Sequence, residues 1–250
     1  MGRWISEGTK IFNEKDRHFL TDRPLTLDIV RILSGQKNGI GDKIKFMFIK
    51  KAMQKGQIKL LNLLKEIEKK RKQVYILTFP YQLNDLMNLM EEEGIYLNLR
   101  NTNSVIITGG GWKIYENKKI SSQKFAKRIE EFFGIDENNY RDVYGLSEMN
   151  GLALECEERY KHFPPWIYPL IIDENNEIKE SGEGRFAFID PASNSYPGFI
   201  ITGDRLKLLD SCPECGRNGF VIEGEITRMK GEESKGCGNL MREIMAKEMR

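Results

Sequence analysis

The sequence predicts an α/β fold: a parallel sheet with flanking helices, followed by a smaller β-rich lobe and a short helical tail. Three observations carry that expectation. Short apolar runs alternate with helical-period segments between residues 74 and 144, as in strands covered on both faces and joined by crossover helices. After Glu148, Pro164, Pro165, Pro169, Pro191 and Pro197 break the chain into short β-rich pieces separated by turn signals. Cys212-Pro-Glu-Cys215 has a two-residue gap, and Cys156 and His162 form a second pair, so the four can make a Cys3His zinc site pinning the β-rich lobe.

Taken in order, residues 1–56 form a poorly defined N-terminal segment. Asp28 to Leu33, closed by Gly35, and the apolar-basic Ile44 to Met53 are its only features. An α/β portion spans 57–150. From Ile58 to Ile67 leucine and isoleucine recur at helical spacing, and the basic run Glu68 to Lys72 complements the helix dipole at its end. Val74 to Phe79 is a strand. Pro80 opens a helix with Leu83, Leu86, Met87 and Met90 on one face, and Gly94 closes it. Ser104 to Thr108 is the next strand. Ser121 or Ser122 caps a helix whose Phe125, Ile129, Phe132 and Phe133 face inward, ending at Gly134, and Arg141 to Tyr144 is the third strand. The β-rich lobe covers 151–231, with segments Trp166 to Ile172, Arg185 to Ile189, Phe199 to Thr202 and Arg205 to Leu209. Asp173-Glu-Asn-Asn176 and Ser181-Gly-Glu-Gly184 are read as the turns between them. The tail, 232–250, places Met241, Met245 and Met249 on one face of a helix capped by Asn239.

Composition excludes several classes. Lys+Arg number 39 against 37 Asp+Glu, so no electrostatic case for a nucleic-acid partner exists. No apolar run reaches membrane-spanning length and the N-terminus carries no apolar signal segment, so the expected location is cytoplasmic. Four cysteines in that compartment read as metal or catalytic groups, not disulfides. Cys212 and Cys215 also admit a redox-pair reading, or one of buried thiols. A closed set of four protein ligands leaves no open position, so zinc there is structural.

Three further stretches suggest chemistry. Tyr144, Gly145, Ser147 and Glu148 follow a strand at the crevice end of a sheet, and offer a ring to stack, bare backbone, a hydroxyl and a magnesium ligand. Gly109-Gly-Gly111 ends another strand, where glycine lets the backbone approach a ligand, unless it is simply a flexible loop. Cys237 stands between Gly236 and Gly238, after Lys235 and before the tail helix, a setting that favours thiolate; otherwise it is an incidental cysteine.

The order of Ile106-Ile-Thr-Gly-Gly-Gly-Trp-Lys113, Arg141-Asp-Val-Tyr-Gly-Leu-Ser-Glu-Met149, Ile201-Thr-Gly-Asp204 and Cys212-Pro-Glu-Cys-Gly-Arg217 resembles the adenylate-forming enzymes, in their phenylacetate-CoA-ligase-like branch. The Gly-Gly-Gly-Trp-Lys block and Lys235-Gly-Cys-Gly238 resemble the LuxE-type acyl-protein synthetases in particular. The resemblance covers roughly residues 70 to 240 and implies activation of a fatty acid or similar carboxylate with ATP and Mg2+, then loading onto a cysteine. By that likeness Gly110, Gly111 and Trp112 line the adenine and acyl pocket, and Lys113 meets the carboxylate or phosphate. Tyr144 stacks on adenine, Glu148 helps hold magnesium, and Ser147 stands where relatives carry threonine. Asp204 takes the ribose hydroxyls, and Cys237 receives the acyl group.

Two departures qualify the likeness. No Ser/Thr/Gly-rich phosphate loop precedes these motifs, Ile5-Ser-Glu-Gly-Thr9 being a poor candidate, so a separate chain supplying that loop is an expected partner. Gly224-Glu225 stands where relatives carry Gly-Arg, leaving Arg217 and Arg228 as alternative substitutes. An acyl-accepting reductase or carrier is the other implied partner. The competing readings are a CoA ligase of the phenylacetate type, disfavoured by the missing C-terminal lid, and a degenerate nucleotide-binding scaffold, favoured by the missing loop.

Overall fold

A computed structural model describes residues 39–112, 119–194 and 197–229. These divide into two compact units: residues 39–105, 111–112 and 119–139 in one, and 106–110 and 140–229 in the other. The tail helix and Cys237 lie outside the described residues, as does Lys113.

The first unit is helical around one strand. The two expected apolar segments of its beginning merge into a single helix, α1 (Ile40–Lys69), with Gly56 inside it. Leu61 and Leu64 are its buried anchors. Strand β1 (Tyr75–Thr78) follows. It is not covered on both faces as expected, because Tyr75 and Leu77 are half exposed while Ile76 and Thr78 are partly buried. Helix α2 (Pro80–Glu92) begins at Pro80, whose missing N–H is no loss in a first turn, and buries Leu83, Leu86, Met87 and Met90 as the spacing predicts. Beyond its end Gly94 takes φ +61 while the Ile95 N–H reaches the Met90 carbonyl at 2.8 Å. Helix α3 (Ser122–Phe133) is capped by Ser121, whose hydroxyl accepts the Lys124 N–H, and stops at left-handed Gly134. Its Phe125, Ile129, Phe132 and Phe133 are buried. Arg128 ties α3 to α2, donating to Asn84, Asn88 and Glu91.

The second unit is one mixed sheet. Its strands are β2 (Val105–Gly109), β3 (Tyr140–Tyr144), β4 (Ala153–Glu155), β5 (Lys161–His162), β6 (Tyr168–Ile172), β7 (Ile178–Lys179), β8 (Gly182–Ile189), β9 (Phe199–Ser211) and β10 (Asn218–Arg228), with Val105 itself assigned to the first unit. They lie in the order β2-β3-β4-β5-β10-β9-β8-β6-β7. Only β2 and β3 are parallel here; β4 pairs antiparallel with β3, and the remaining pairs are antiparallel. The β-rich region is therefore an extension of the sheet and not the separate smaller lobe that the sequence suggested. The reason is the free edge of β3, whose N–H and C=O groups are satisfied by β4 through Val143↔Leu154 and Tyr144↔Ala153.

Three local expectations change. Ser181–Gly184 is not a turn: Gly182–Gly184 open β8, and a Cβ at Gly184 would stand 2.5 Å from the Ile172 carbonyl oxygen. Glycine there marks close approach of two backbones. The segments on either side of Gly203 form one strand, β9. Strand β10 was not expected, because its charges and the left-handed Gly219 and Gly224 interrupt the alternation that would announce it. Asp173, by contrast, closes its predicted turn, accepting N–H groups of Asn175 and Glu177 at 2.9 Å each.

Phe186 and Phe188 centre the sheet's core, stacked with Phe163 and surrounded by Ile171, Leu206, Leu208 and Ile222. Where parallel pairing gives way to antiparallel, a polar network replaces apolar packing. The Thr108 hydroxyl donates a hydrogen bond to Asp142 at 2.7 Å and so accepts from the Tyr140 hydroxyl at 3.0 Å. Buried Glu155 accepts the Asp142 N–H at 3.0 Å and pairs with Arg159 at 3.1 Å. Lys161 bridges Glu155 and Asp142 at 3.5 and 3.4 Å. Burial holds the Asp142 carboxyl above its ordinary range, against the pull of Lys161 and the Thr108 hydroxyl. Lys161→Met should destabilise the chain by about 1–3 kcal/mol in urea denaturation, because it leaves buried Glu155 and partly buried Asp142 with one cation fewer while Arg159 stays on Glu155.

Among the described residues no helix is long and apolar enough to cross a membrane.

Candidate functional site

The stretch after β3 lies at a strand's carboxyl end, the place an α/β sheet offers a ligand. Tyr144 is the last residue of β3; Gly145 and Leu146 leave the strand, Ser147 is exposed on a turn, and Glu148 is partly buried. The Tyr144 ring stands edge-on to Phe186, with centroids 5.8 Å apart. Its hydroxyl donates to the Asp204 carboxylate at 2.7 Å, so two residues 60 apart in sequence meet. Burial, then the Asp204 charge, pushes the Tyr144 phenol well above its ordinary value, which keeps it a hydrogen-bond donor.

Asp204 is buried, and both carboxylate oxygens are engaged. Oδ2 accepts the hydrogen bond of the Tyr144 hydroxyl, and Oδ1 meets the Arg228 guanidinium at 3.1 Å. Arg228 is its cross-strand partner in β10. The Asp204 N–H reaches the Thr202 hydroxyl at 3.1 Å, and that hydroxyl donates to the Phe186 carbonyl at 2.9 Å. The Thr-Gly-Asp motif thus sits inside a strand, not at a tight turn after one, and Gly203 is not among the residues of positive φ. Of the two arginines left open by the sequence, Arg228 is beside Asp204, whereas Arg217 pairs with Glu157 at 3.0 Å.

The glycine block resolves into separate demands. A Cβ on Gly109 would come within 2.7 Å of the Val143 side chain on the neighbouring strand, and Gly110 and Gly111 take φ +78 and +66. Those two angles, which L side chains rarely adopt, explain the block without a flexible loop. Trp112 is buried edge-on against Phe125 of α3, with centroids 5.5 Å apart, so its ring is a packing anchor of the first unit.

The four predicted metal ligands converge. Cys156 follows β4, His162 lies in β5, and Cys212 and Cys215 occupy the turn between β9 and β10. Their ligand atoms all lie within 4.8 Å of one another. The Cys215 sulfur is 3.3 Å from His162 Nε2, and the Cys215 N–H points at the Cys212 sulfur at 3.5 Å. The three cysteines are free thiols, not disulfides. Burial raises the Cys156 thiol. Burial also raises Cys212, but the N–H groups of Cys215 and Glu214 outweigh it and lower the thiol overall. Burial and then Arg217 lower His162, favouring the neutral imidazole that ligates metals. Three soft sulfurs and one imidazole nitrogen suit a tetrahedral ion, whose ligand atoms stand about 3.4–3.8 Å apart.

Asp190 was not anticipated. It is buried at the end of β8 and accepts both the backbone and side-chain N–H groups of Asn150, at 2.7 and 3.0 Å. It therefore anchors the turn carrying Ser147 and Glu148. An aspartate before Pro191 reads as an ordinary strand end, so no local signal marks it.

The model of the family described as "Acyl-protein synthetase, LuxE" matches residues 45–246. The chain belongs to the LuxE acyl-protein synthetase family. Its relatives include the long-chain-fatty-acid–luciferin-component ligase of Aliivibrio fischeri, 29% identical over 188 residues, which make up 74% of this chain and 49% of that protein. The protein of the same description from Vibrio harveyi is 27% identical over 174 residues, 68% of this chain and 45% of its own length. The chain thus spans about half the length of the curated relatives it matches. A solved long-chain-fatty-acid-CoA ligase from Archaeoglobus fulgidus covers 67% of this chain and 36% of its own at 17% identity and a TM-score of 0.46, a likeness too slight to decide anything. The LuxE match includes every site residue named above, and also Lys113 and Cys237.

Proposed function

We propose that this chain is the catalytic portion of an ATP-dependent acyl-protein synthetase acting on a fatty acid or similar carboxylate. The observation that supports it most directly is the meeting of Tyr144 and Asp204 at the carboxyl end of β3, in a chain of the LuxE family. Tyr144 offers its ring to adenine while its hydroxyl steadies Asp204, and Arg228 fixes the carboxylate's orientation toward the ribose hydroxyls. By the family likeness, Gly110 and Gly111, both of positive φ, are the residues that would offer bare backbone to the nucleotide. Glu148 would hold the magnesium that neutralises the phosphates, with Ser147 beside it. The substrate carboxylate attacks the α-phosphorus of ATP, the bond to the β-phosphate oxygen breaks, and pyrophosphate leaves. Lys113 supplies positive charge to that exchange. The Cys237 thiolate then attacks the acyl carbonyl; the acyl–phosphate bond breaks, AMP departs, and the acyl group remains as a thioester.

The Cys156, His162, Cys212 and Cys215 set is read as a structural zinc site, since four protein ligands fill the tetrahedron. It would pin β4, β5, β9 and β10 behind the site. A partner chain supplying phosphate-binding amides, an acyl-accepting reductase or carrier, and a cytoplasmic location complete the reading.

Three measurements test it. Asp204→Asn, which keeps the shape of the side chain, should weaken AMP binding in calorimetry by about 1–3 kcal/mol, the range for losing a hydrogen bond to a charged group. Unchanged affinity would place the nucleotide elsewhere. Protein purified under reducing conditions should carry about one zinc per chain, and chelation should lower its melting temperature, whereas metal-free folded protein would refute the site. Incubation with a synthetic fatty-acyl adenylate should give a hydroxylamine-labile label that Cys237→Ser abolishes while leaving AMP binding intact; equal labelling of both proteins would make this cysteine a bystander.

A further inference from the structure

Helix α1 carries a face that the core does not use. Its last third is anchored by buried Leu61 and Leu64. Further towards its start, Ile44, Met47, Phe48 and Ile58 are exposed, Phe48 at 63% and the others near half. Lys51, Lys55 and Lys59 are exposed among them. Positions 44, 47/48, 51, 55 and 58/59 recur every three to four residues, so these side chains form one stripe along the helix. It extends about 22 Å, at about 1.5 Å per residue. Residues 40–59 hold six lysines against a single aspartate, Asp42, although the whole chain is nearly balanced in charge.

A stripe of large apolar side chains with lysines among them suits the boundary of an anionic bilayer. There Ile44, Met47, Phe48 and Ile58 can enter the acyl region while the lysine stems reach back to the phosphates. A flat acidic protein surface without an apolar groove would satisfy the lysines but leave the apolar groups without a dry place. We propose that α1 docks this chain on an anionic phospholipid surface, with the Ile44–Lys59 stripe lying in the plane of the interface. This is independent of the nucleotide reading, and its test uses neither ATP nor Cys237.

The test is co-sedimentation of the full chain with vesicles of phosphatidylcholine, alone and mixed with phosphatidylglycerol. The chain should bind the mixed vesicles, ignore the pure phosphatidylcholine ones, and be released by high salt. Lys51→Gln and Lys55→Gln should each lower the partition constant roughly fivefold. Phe48→Ser should lower it roughly tenfold or more. All three side chains are exposed, so the melting curves of the variants should match the parent; if Phe48→Ser does not, Ile58→Ser takes its place. Failure to bind mixed vesicles, equal binding to both kinds, or partition unchanged in the variants would overturn the proposal. Binding to soluble poly-glutamate that survives Phe48→Ser, without vesicle binding, would assign the face to an acidic protein instead.

Discussion

The second unit depends on how its sheet changes direction, and Glu155 governs that change. Strands β4 and β5 are only three and two residues long, too short to hold a junction by backbone bonds alone. Glu155 joins them to β3 by accepting the Asp142 N–H and by drawing Arg159 and Lys161 over the junction. A buried carboxylate persists only where it is paired and hydrogen-bonded, so these partners come as a set. With β4 fixed against β3, the end of β3 is fixed too, and Tyr144 with it. With β5 fixed, His162 is delivered to the cysteines.

Two chemical features then emerge from opposite ends of the same strands. Asp204 lies toward the start of β9, facing Tyr144 and Arg228, whereas Cys212 follows the end of that strand. A rigid ladder between them, β9 on β10, holds both. The Asp204 carboxylate is held in one orientation, because Tyr144 and Arg228 occupy one oxygen each. Asp190 performs a comparable task for the turn of Ser147 and Glu148, through Asn150. In the other unit, α1 keeps Ile44, Met47, Phe48 and Ile58 exposed.

Sequence reading succeeded where neighbours in the chain are neighbours in space. Pro80, Ser121 and Gly134 delimit helices because their effects act within one turn, and the inward faces of α2 and α3 follow from a 3.6-residue period. It failed where a residue type has two uses. Glycines at 182 and 184 imitate a turn but serve a close strand contact, and Gly203 imitates a strand end inside β9. Trp112 was legible as a conspicuous aromatic, yet its burial against Phe125 could not be read from one position.

By itself the sequence determined the α/β class, the helix limits, the nature of the four metal-type ligands and the order of motifs that marks the LuxE family. Each of these is a matter of residue type, period or spacing, which survive without coordinates. Tertiary structure alone decided that the β-rich region extends the sheet, that Arg228 rather than Arg217 stands beside Asp204, and that Cys156 and His162 reach Cys212 and Cys215. Those outcomes depend on which strand edge finds which partner. Strand pairing joins segments dozens of residues apart through backbone groups common to every residue, so it leaves little local trace in the side chains.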